Sequence, residues 1–238
     1  MIKTIILDFD GTMGDSKALI VKTMQETMAQ LQLDVKDADT CAATIGLPLS
    51  KSFEVMYGMN SEQADKCANT YRKIFMANKG SMVVHPFPHV ISTVKLLNHY
   101  GITIALASSR SRASLEEYVK LYSIESCISC IVAADDVVHA KPAPDMVLKI
   151  LKETHSKPEE TLVVGDMSYD IDMGHAAHTT TCGVTYGNGT RKELQEADFL
   201  VDDFKDIACL TACMLSHNDN NVQPQEASSL HKAGQQDA

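Results

Sequence analysis

Two carboxylates stand two positions apart near the N-terminus, in the segment Asp-Phe-Asp-Gly-Thr of residues 8–12. The apolar run before them, residues 2–7, predicts a strand buried on both faces. Side chains with this spacing point the same way, so Asp8 and Asp10 are expected to face the crevice where ligands bind in open α/β sheets. Such a pair can supply a nucleophile and a proton donor. The alternative is an acidic turn after a strand, where Gly11 lets the chain reverse.

A second pair of carboxylates follows the apolar run of residues 161–164. Asp166 comes directly after a glycine that permits close backbone approach, and Asp170 can share the same side of the helix start that follows. Carboxylate oxygens are the ligands that Mg²⁺ prefers, together with water and substrate phosphate. The alternative is a helix N-terminus that is acidic for dipole reasons, which explains Asp172 better.

Two further candidates, Ser108 and Lys141, follow other predicted strands. Ser108 ends the apolar run of residues 102–107, although Ser-Ser-Arg at such a place is equally a helix start. Lys141 lies in Ala-Lys-Pro-Ala-Pro, residues 140–144, where the prolines fix the backbone and delay the next helix. A lone lysine in a loop is ordinarily solvated. Both signals are therefore weak alone and gain weight only beside the carboxylates.

The charge balance limits the partners. The chain has 238 residues, with 21 basic against 31 acidic side chains and a formal net charge of −10. This acidity argues against nucleic acid or an anionic membrane as a partner, and no apolar run approaches bilayer length. An anionic substrate would need a site made locally positive by a metal, a lysine and backbone N–H groups.

Cysteine usage indicates a reducing compartment. Seven cysteines are scattered along the chain, and no signal-peptide pattern precedes the first acidic motif, so a cytoplasmic protein with reduced thiols is expected. The close pairs Cys127 with Cys130 and Cys209 with Cys213 lack the partner pair of a zinc site. We expect buried structural cysteines there rather than metal or redox sites.

Periodicity predicts the elements that would position these groups. Helices are predicted over residues 16–33, 36–44, 50–57, 61–79, 89–100, 111–122, 145–154, 169–177 and 191–197. Strands are predicted over residues 2–7, 102–107, 130–134, 161–164, 180–184 and 199–201. Short apolar runs alternating with helices indicate parallel βαβ units, so the fold class is α/β.

The same pattern divides the chain into three parts. Residues 1–15 and 88–215 would form the sheet core, and residues 16–87 an all-helical insertion beside the first acidic turn, placed to act as a lid. Residues 216–238 are polar and aperiodic, and they predict a disordered tail.

Four of these segments, in order, resemble the four motifs of the haloacid dehalogenase (HAD) superfamily. They are residues 8–12, the strand that ends at Ser108, the Lys-Pro-Ala-Pro segment at Lys141, and Gly-Asp-Met-Ser-Tyr-Asp at residues 165–170. The resemblance covers about residues 2–207. It implies a Rossmann-like parallel sheet core with an inserted α-helical cap, of the type called a C1 cap.

The resemblance also implies a role for each motif residue. Asp8 would be the nucleophile that forms a phosphoaspartyl intermediate, and Asp10 the acid and base that serves the leaving group and then water. Ser108 would bind the transferring phosphoryl group, and the Lys141 ammonium would pair with the nucleophile and phosphoryl charge. The dehalogenase branch lacks an acid equivalent to Asp10, so phosphate chemistry is favoured.

A Mg²⁺ cofactor is implied as well. Its ligands would be Asp8, the backbone carbonyl of Asp10, and Asp166, with Asp170 acting through water or as a partner of the ligands.

Substrate choice is expected to depend on the helical cap and the neighbouring loops. The loop Thr-Ile-Gly-Leu-Pro-Leu, residues 44–49, is similar to one that dips into the active site of phosphoglycolate phosphatase and related pyrophosphatases, with Gly46 at the closest approach. Residues 183–189 also resemble phosphoglycolate-phosphatase-like proteins. Ser109 and Arg110 are further candidates for substrate binding, although an arginine just past a strand usually points to solvent.

The expected enzyme is therefore a Mg²⁺-dependent, phosphoglycolate-phosphatase-like hydrolase of a small phosphorylated metabolite, as a monomer or homodimer. The alternatives are an inorganic pyrophosphatase, a 5′-nucleotidase or a β-phosphoglucomutase-like enzyme of the same superfamily. From another class, the alternative is a non-catalytic binding protein on the same scaffold, which the intact motifs disfavour. Two positions depart from the family pattern: Gly14, expected to loosen the hinge into the cap, and His89, which stands where relatives carry glycine.

Overall fold

The computed structural model describes residues 1–216 of the chain. Its strands are β1 (Thr4–Leu7), β2 (Gly14–Asp15), β3 (His85–Pro86), β4 (Thr103–Ser108), β5 (Ile128–Ala133), β6 (Thr161–Gly165), β7 (Thr180–Val184) and β8 (Phe199–Val201). Six of them form one sheet in the order β5-β4-β1-β6-β7-β8, and every neighbouring pair is parallel. Because β1 lies between β4 and β6, the strand order reverses beside it. This is where open α/β sheets bind ligands.

The helices of the described chain are α1 (Lys17–Gln30), α2 (Ala38–Ala42), α3 (Leu49–Tyr57), α4 (Ser61–Asn78), α5 (Val90–His99), α6 (Arg112–Leu121), α7 (Asp145–Thr154), α8 (Ser168–Ala176) and α9 (Asp206–Ser216). Alternate residues of β1 face opposite sides of the sheet. Ile5 and Leu7 belong to a hydrophobic cluster with α5, α6 and α9, whereas Ile6 belongs to one with α7 and α8. The sheet is thus covered on both faces, which explains why its strands are continuous apolar runs.

A separate hydrophobic cluster joins the four helices between β2 and β3. Met28 and Phe53 are fully buried in it. The chain enters and leaves this helical segment through β2 and β3, which pair antiparallel with Gly14 opposite Pro86 and Asp15 opposite His85. The two strands therefore fasten the ends of the helical segment together beside the end of β1. The division of the chain into a core, a cap and a tail stays a prediction.

The two departures from the family pattern have local explanations. A Cβ atom on Gly14 would lie 2.9 Å from the ring of Phe9 and 3.0 Å from Val84, so close packing requires a glycine here, while the looser hinge stays a prediction. His89 has a φ of 64°, a left-handed conformation that glycine adopts most easily, and its Nδ1 lies 2.8 Å from Asp203.

Some local predictions were wrong. Residues 191–197 form successive turns instead of a helix, because their backbone N–H groups bond mostly to the carbonyl three residues earlier, as Glu193 does to Thr190 and Ala197 does to Leu194, and not to the fourth. Cys127 is buried as expected, but Cys130 is half-buried on the edge strand β5. Cys209 and Cys213 are exposed on α9, because that helix turns another face to the core.

Within residues 1–216, no helix is both long and apolar enough to cross a bilayer. The predicted disordered tail lies outside the described residues, except for Ser216, the last residue of α9.

Candidate active site

Asp8 lies directly beyond β1, at the centre of the sheet. Its N–H donates to Val164 O at 2.9 Å, which holds the backbone against β6 for one more residue. Its side chain is almost fully buried, and Oδ1 accepts a hydrogen bond from Lys141 Nζ at 2.5 Å. None of the described residues donates to the other oxygen, Oδ2. Lys141 therefore fixes one carboxylate oxygen of Asp8, while the second oxygen accepts no hydrogen bond from the described residues.

Three buried carboxylates meet at this point. One oxygen each of Asp8, Asp166 and Asp170 lies within 4.8 Å of the others, and no second such group occurs in residues 1–216. Among the side chains of residues 1–216, Lys141 is the only cation that contacts them, through Asp8 and through Asp170 at 2.6 Å. Three carboxylates against one ammonium leave a local charge of about −2 if all are ionised. This set of hard oxygen donors, named here the carboxylate trio, fits a divalent cation of the Mg²⁺ type.

The electrostatics of the carboxylate trio follow from burial. Burial raises the pKa of Asp8 to about 7, helped by the charges of Asp170 and Asp10 and opposed by Lys141. Burial, with Asp8 and Asp170 nearby, also holds the pKa of Asp166 well above its usual range. Burial opposes the charge on Lys141, but Asp170 and Asp8 outweigh it and raise the pKa of the ammonium. Lys141 is therefore a fixed positive charge, whereas Asp8 and Asp166 ionise less readily than ordinary carboxyl groups while no cation is bound.

Asp166 is held by groups that the sequence analysis missed. Its Oδ1 accepts from Thr12 Oγ1 at 3.2 Å, and its Oδ2 accepts from the N–H of Asn188 at 2.7 Å and from Asn188 Nδ2 at 3.0 Å. Gly11 has a φ of 87°, and a Cβ there would lie 2.1 Å from Asp166 Oδ2. The glycine is thus required both by the turn and by the carboxylate beside it. A Gly-Asn-Gly sequence after β7 is the signal that could have indicated the Asn188 contact.

Asp10 faces a different partner. Its carboxylate accepts three hydrogen bonds from Arg110, two from Nε at 2.8 and 2.9 Å and one from Nη2 at 2.7 Å. The hydroxyl of Ser16, at the start of the helical segment, donates to the same carboxylate. Asp10 is therefore held by an arginine, whereas Asp8 is held by a lysine. Ser16 was also missed, because a serine before a helix is ordinarily interpreted as a cap.

The other predicted site residues lie at the rim. Ser108 ends β4 and is buried, and its Oγ accepts from the Arg110 N–H at 3.4 Å. Ser109 donates through Oγ to Gly46 O at 2.6 Å. Gly46 has a φ of 99°, and a Cβ there would contact Tyr169 and Met167, which flank the trio, at 3.5 and 3.6 Å. The loop of the helical segment thus lies against the residues that surround the carboxylate trio.

The structure therefore brings together Asp8, Lys141, Asp166 and Asp170, with Asp10 and Arg110 as a neighbouring ion pair. Ser109 and Gly46 pair with each other, and Ser108 lies at the end of the strand next to β1. Arg110, predicted to bind substrate, is directed at Asp10. The catalytic, substrate-binding and metal-ligating roles of these residues stay predictions.

Comparisons with known proteins agree with this geometry. Residues 5–184 match the haloacid dehalogenase-like hydrolase family. Pyrophosphatase PpaX of Anoxybacillus flavithermus is 32% identical over 208 residues, which cover 87% of this chain and 95% of the relative. A Bacteroides fragilis structure described as haloacid dehalogenase-like superposes with a TM-score of 0.81 at 26% identity, over 87% of this chain and 100% of that one.

A Haemophilus somnus structure, named a predicted phosphoglycolate phosphatase, has a TM-score of 0.77 at 21% identity, over 88% of this chain and 98% of that one. At this identity the likeness concerns the fold alone. The chain belongs to the haloacid dehalogenase-like hydrolases. The predicted superfamily, the α/β fold and the prediction of a hydrolase are confirmed.

Proposed function

We propose that this chain is a Mg²⁺-dependent phosphatase that hydrolyses a small phosphorylated metabolite through a phosphoaspartyl intermediate on Asp8. The observation that carries the proposal is the position of the Asp8 carboxylate. Lys141 holds one oxygen at 2.5 Å, the other oxygen is open, and two further carboxylates lie within 4.8 Å. A fixed nucleophile between an ammonium and a cation site suits attack on a phosphate monoester.

In the first half of the reaction, an Asp8 oxygen attacks phosphorus while the bond from phosphorus to the leaving oxygen breaks. Asp10 gives that oxygen its proton, and Ser108 and Lys141 stabilise the charge on the phosphoryl group. In the second half, water attacks phosphorus, Asp10 takes the proton of the water, and Asp8 is released with free phosphate. Asp8, the backbone carbonyl of Asp10 and Asp166 would hold Mg²⁺, with Asp170 acting through water or as a partner of the ligands, and the ion would supply positive charge to the phosphoryl oxygens.

The substrate class is inferred from the helical segment and from the relatives. The contact of Ser109 with Gly46 brings the loop of residues 44–49 to the rim, so a small substrate such as 2-phosphoglycolate is the first candidate. A second candidate is inorganic pyrophosphate, because the relative at 32% identity is named a pyrophosphatase. Cytoplasmic location and a monomeric or homodimeric state stay predictions.

The test is phosphate release from a panel of phosphometabolites that includes 2-phosphoglycolate, pyrophosphate, nucleoside monophosphates and sugar phosphates, with MgCl₂ or with EDTA. We expect turnover with MgCl₂ only, and its loss in Asp8→Asn, which keeps shape but removes the nucleophile. Asp172→Asn, an exposed carboxylate of α8, is the matched control and should keep activity. Retained hydrolysis by Asp8→Asn would contradict the mechanism.

The panel also separates the alternatives. Isomerised sugar phosphate without free phosphate would indicate a mutase. A complete lack of turnover on every compound would favour a non-catalytic binding protein.

A further inference from the structure

Arg110 is a buried arginine whose hydrogen bonds go to other protein groups. Its side chain is 8% exposed, and its Nε and Nη2 edge faces both oxygens of Asp10. On the opposite edge, Nη1 donates to Ser114 Oγ at 3.0 Å. A guanidinium group that meets a carboxylate along one edge in this way fixes the plane of that carboxylate.

Three aromatic rings surround the guanidinium group. Its Cζ lies 5.1 Å from the ring centroid of Phe9, 5.0 Å from that of Tyr118 and 5.4 Å from that of Phe75. We name these three rings the Arg110 cage. Ring faces at such distances stabilise a cation and keep water away from its ion pair. The cage holds the guanidinium group from the sides, while Asp10 and Ser114 hold its edges.

The Arg110 cage also joins two parts of the molecule. Phe9 and Tyr118 belong to the cluster on one face of the sheet, whereas Phe75 lies on α4 of the helical segment. Phe75 packs against both that cluster and the cluster of the helical segment. One wall of the cage therefore depends on the seating of α4 against the sheet.

We propose that Arg110 is a positioning residue for Asp10 and not a ligand of the substrate. This inference rests on the proposed function, in which Asp10 exchanges protons with the leaving oxygen and with water. Arg110 sets the direction of the Asp10 carboxylate, and the Arg110 cage sets the direction of Arg110. A lysine cannot replace it, because a single ammonium group offers no rigid two-point contact.

The inference predicts a change in the chemical step without a change in substrate affinity. Arg110→Lys should lower kcat on an alkyl phosphate such as 2-phosphoglycolate at least about tenfold, since correct proton transfer contributes about 10² to 10⁴ in rate. KM should change less than about twofold. Phe75→Leu, which keeps an apolar side chain but removes the ring face, should change kcat in the same direction and by less. Arg72→Ala, an exposed arginine of α4, is the control and should match the wild type.

A second substrate distinguishes positioning from general damage. The leaving group of p-nitrophenyl phosphate needs no proton. In Arg110→Lys, the first-turnover rate of nitrophenol release should therefore fall less than about threefold, whereas the first-turnover rate with the alkyl phosphate should fall at least about tenfold. In Arg110→Ala, millimolar guanidinium should restore part of the alkyl phosphate rate by filling the Arg110 cage. Thermal unfolding of each variant reports whether it is folded.

The outcomes separate this inference from the proposed function. A rise of KM with unchanged kcat would make Arg110 a substrate ligand and overturn the inference. Equal losses on the two substrates without guanidinium rescue, or no loss on either, would also overturn it. If the wild type releases no more phosphate than Asp8→Asn, the proposed function itself fails.

Discussion

Lys141 Nζ lies 2.5 Å from Asp8 and 2.6 Å from Asp170, so a single buried ammonium joins two carboxylates that follow different strands. Asp166 completes the carboxylate trio, but no cationic side chain of the described residues forms an ion pair with it. Among the described residues, the buried site therefore holds three carboxyl groups but only one cationic side chain. Buried like charges are costly unless protons or a cation neutralise them.

This imbalance predicts how stability depends on pH and on Mg²⁺. Burial raises the folded-state pKa of Asp8 from 3.8 to about 7, so the folded protein binds this proton more tightly than the unfolded chain does. The resulting stabilisation is fully present below about pH 4 and is lost as pH rises through about 7. Without metal, the Asp8 contribution to the free energy of unfolding should therefore fall between pH 5 and pH 8. Mg²⁺ should raise Tm more at pH 8 than at pH 5, because it replaces the lost protons.

The measurement is Tm in EDTA and in a series of MgCl₂ concentrations that increase about 10-fold at each step, at pH 5 and at pH 8. Asp8→Asn removes one titrating acid and should make the metal-free stability less dependent on pH. An Mg²⁺ shift of equal size at both pH values would contradict the charge argument.

Asn188 should control metal affinity from outside the carboxylate trio. It donates twice to Asp166 Oδ2, through its backbone N–H and through Nδ2, and so fixes the direction of that carboxylate. Asn188→Ala keeps the backbone bond and removes the side-chain bond. Groups that orient a metal ligand typically contribute about 10-fold to 100-fold in metal affinity, and we expect a loss toward the lower end of that range.

Calorimetric titration of the variant with MgCl₂ checks this prediction. Asn69→Ala, at an exposed position of α4, is the control and should bind Mg²⁺ like the wild type. Unchanged Mg²⁺ affinity in Asn188→Ala would mean that the backbone bond alone holds Asp166.

The sequence predicted the site residues that lie directly after the central strands. The residues after β1 and β6 could be placed together, because parallel strands deliver their carboxyl ends to one edge of the sheet. Asp8 and Asp166 meet there as expected. The contact of Lys141 with Asp8 was expected from the family resemblance, and the structure adds its contact with Asp170.

Contacts between distant loops could not be predicted in the same way. Arg110 was expected to face substrate or solvent, since a pattern of residue types does not specify where a long side chain points. Its ion pair with Asp10 lies beside the Arg110 cage, which combines rings from three separate segments of the chain. Asn188 is a similar case, because it follows β7 and contacts a carboxylate 22 residues earlier in the chain.

The bond from Ser109 to Gly46 predicts an effect on substrate binding that differs from the effects at Asp8 and Arg110. Ser109 Oγ donates to Gly46 O at 2.6 Å and is the link between the end of β4 and the loop of the helical segment. Ser109→Ala removes a bond worth about 1 kcal/mol, so KM for the best substrate of the panel should rise roughly fivefold while kcat stays within about twofold. Ser111→Ala is the matched control, because that serine is exposed and its side chain makes no capping bond. Steady-state kinetics of the two variants measures kcat and KM separately. A fall in kcat at constant KM would contradict this prediction and would place Ser109 in the chemical step, beside Ser108.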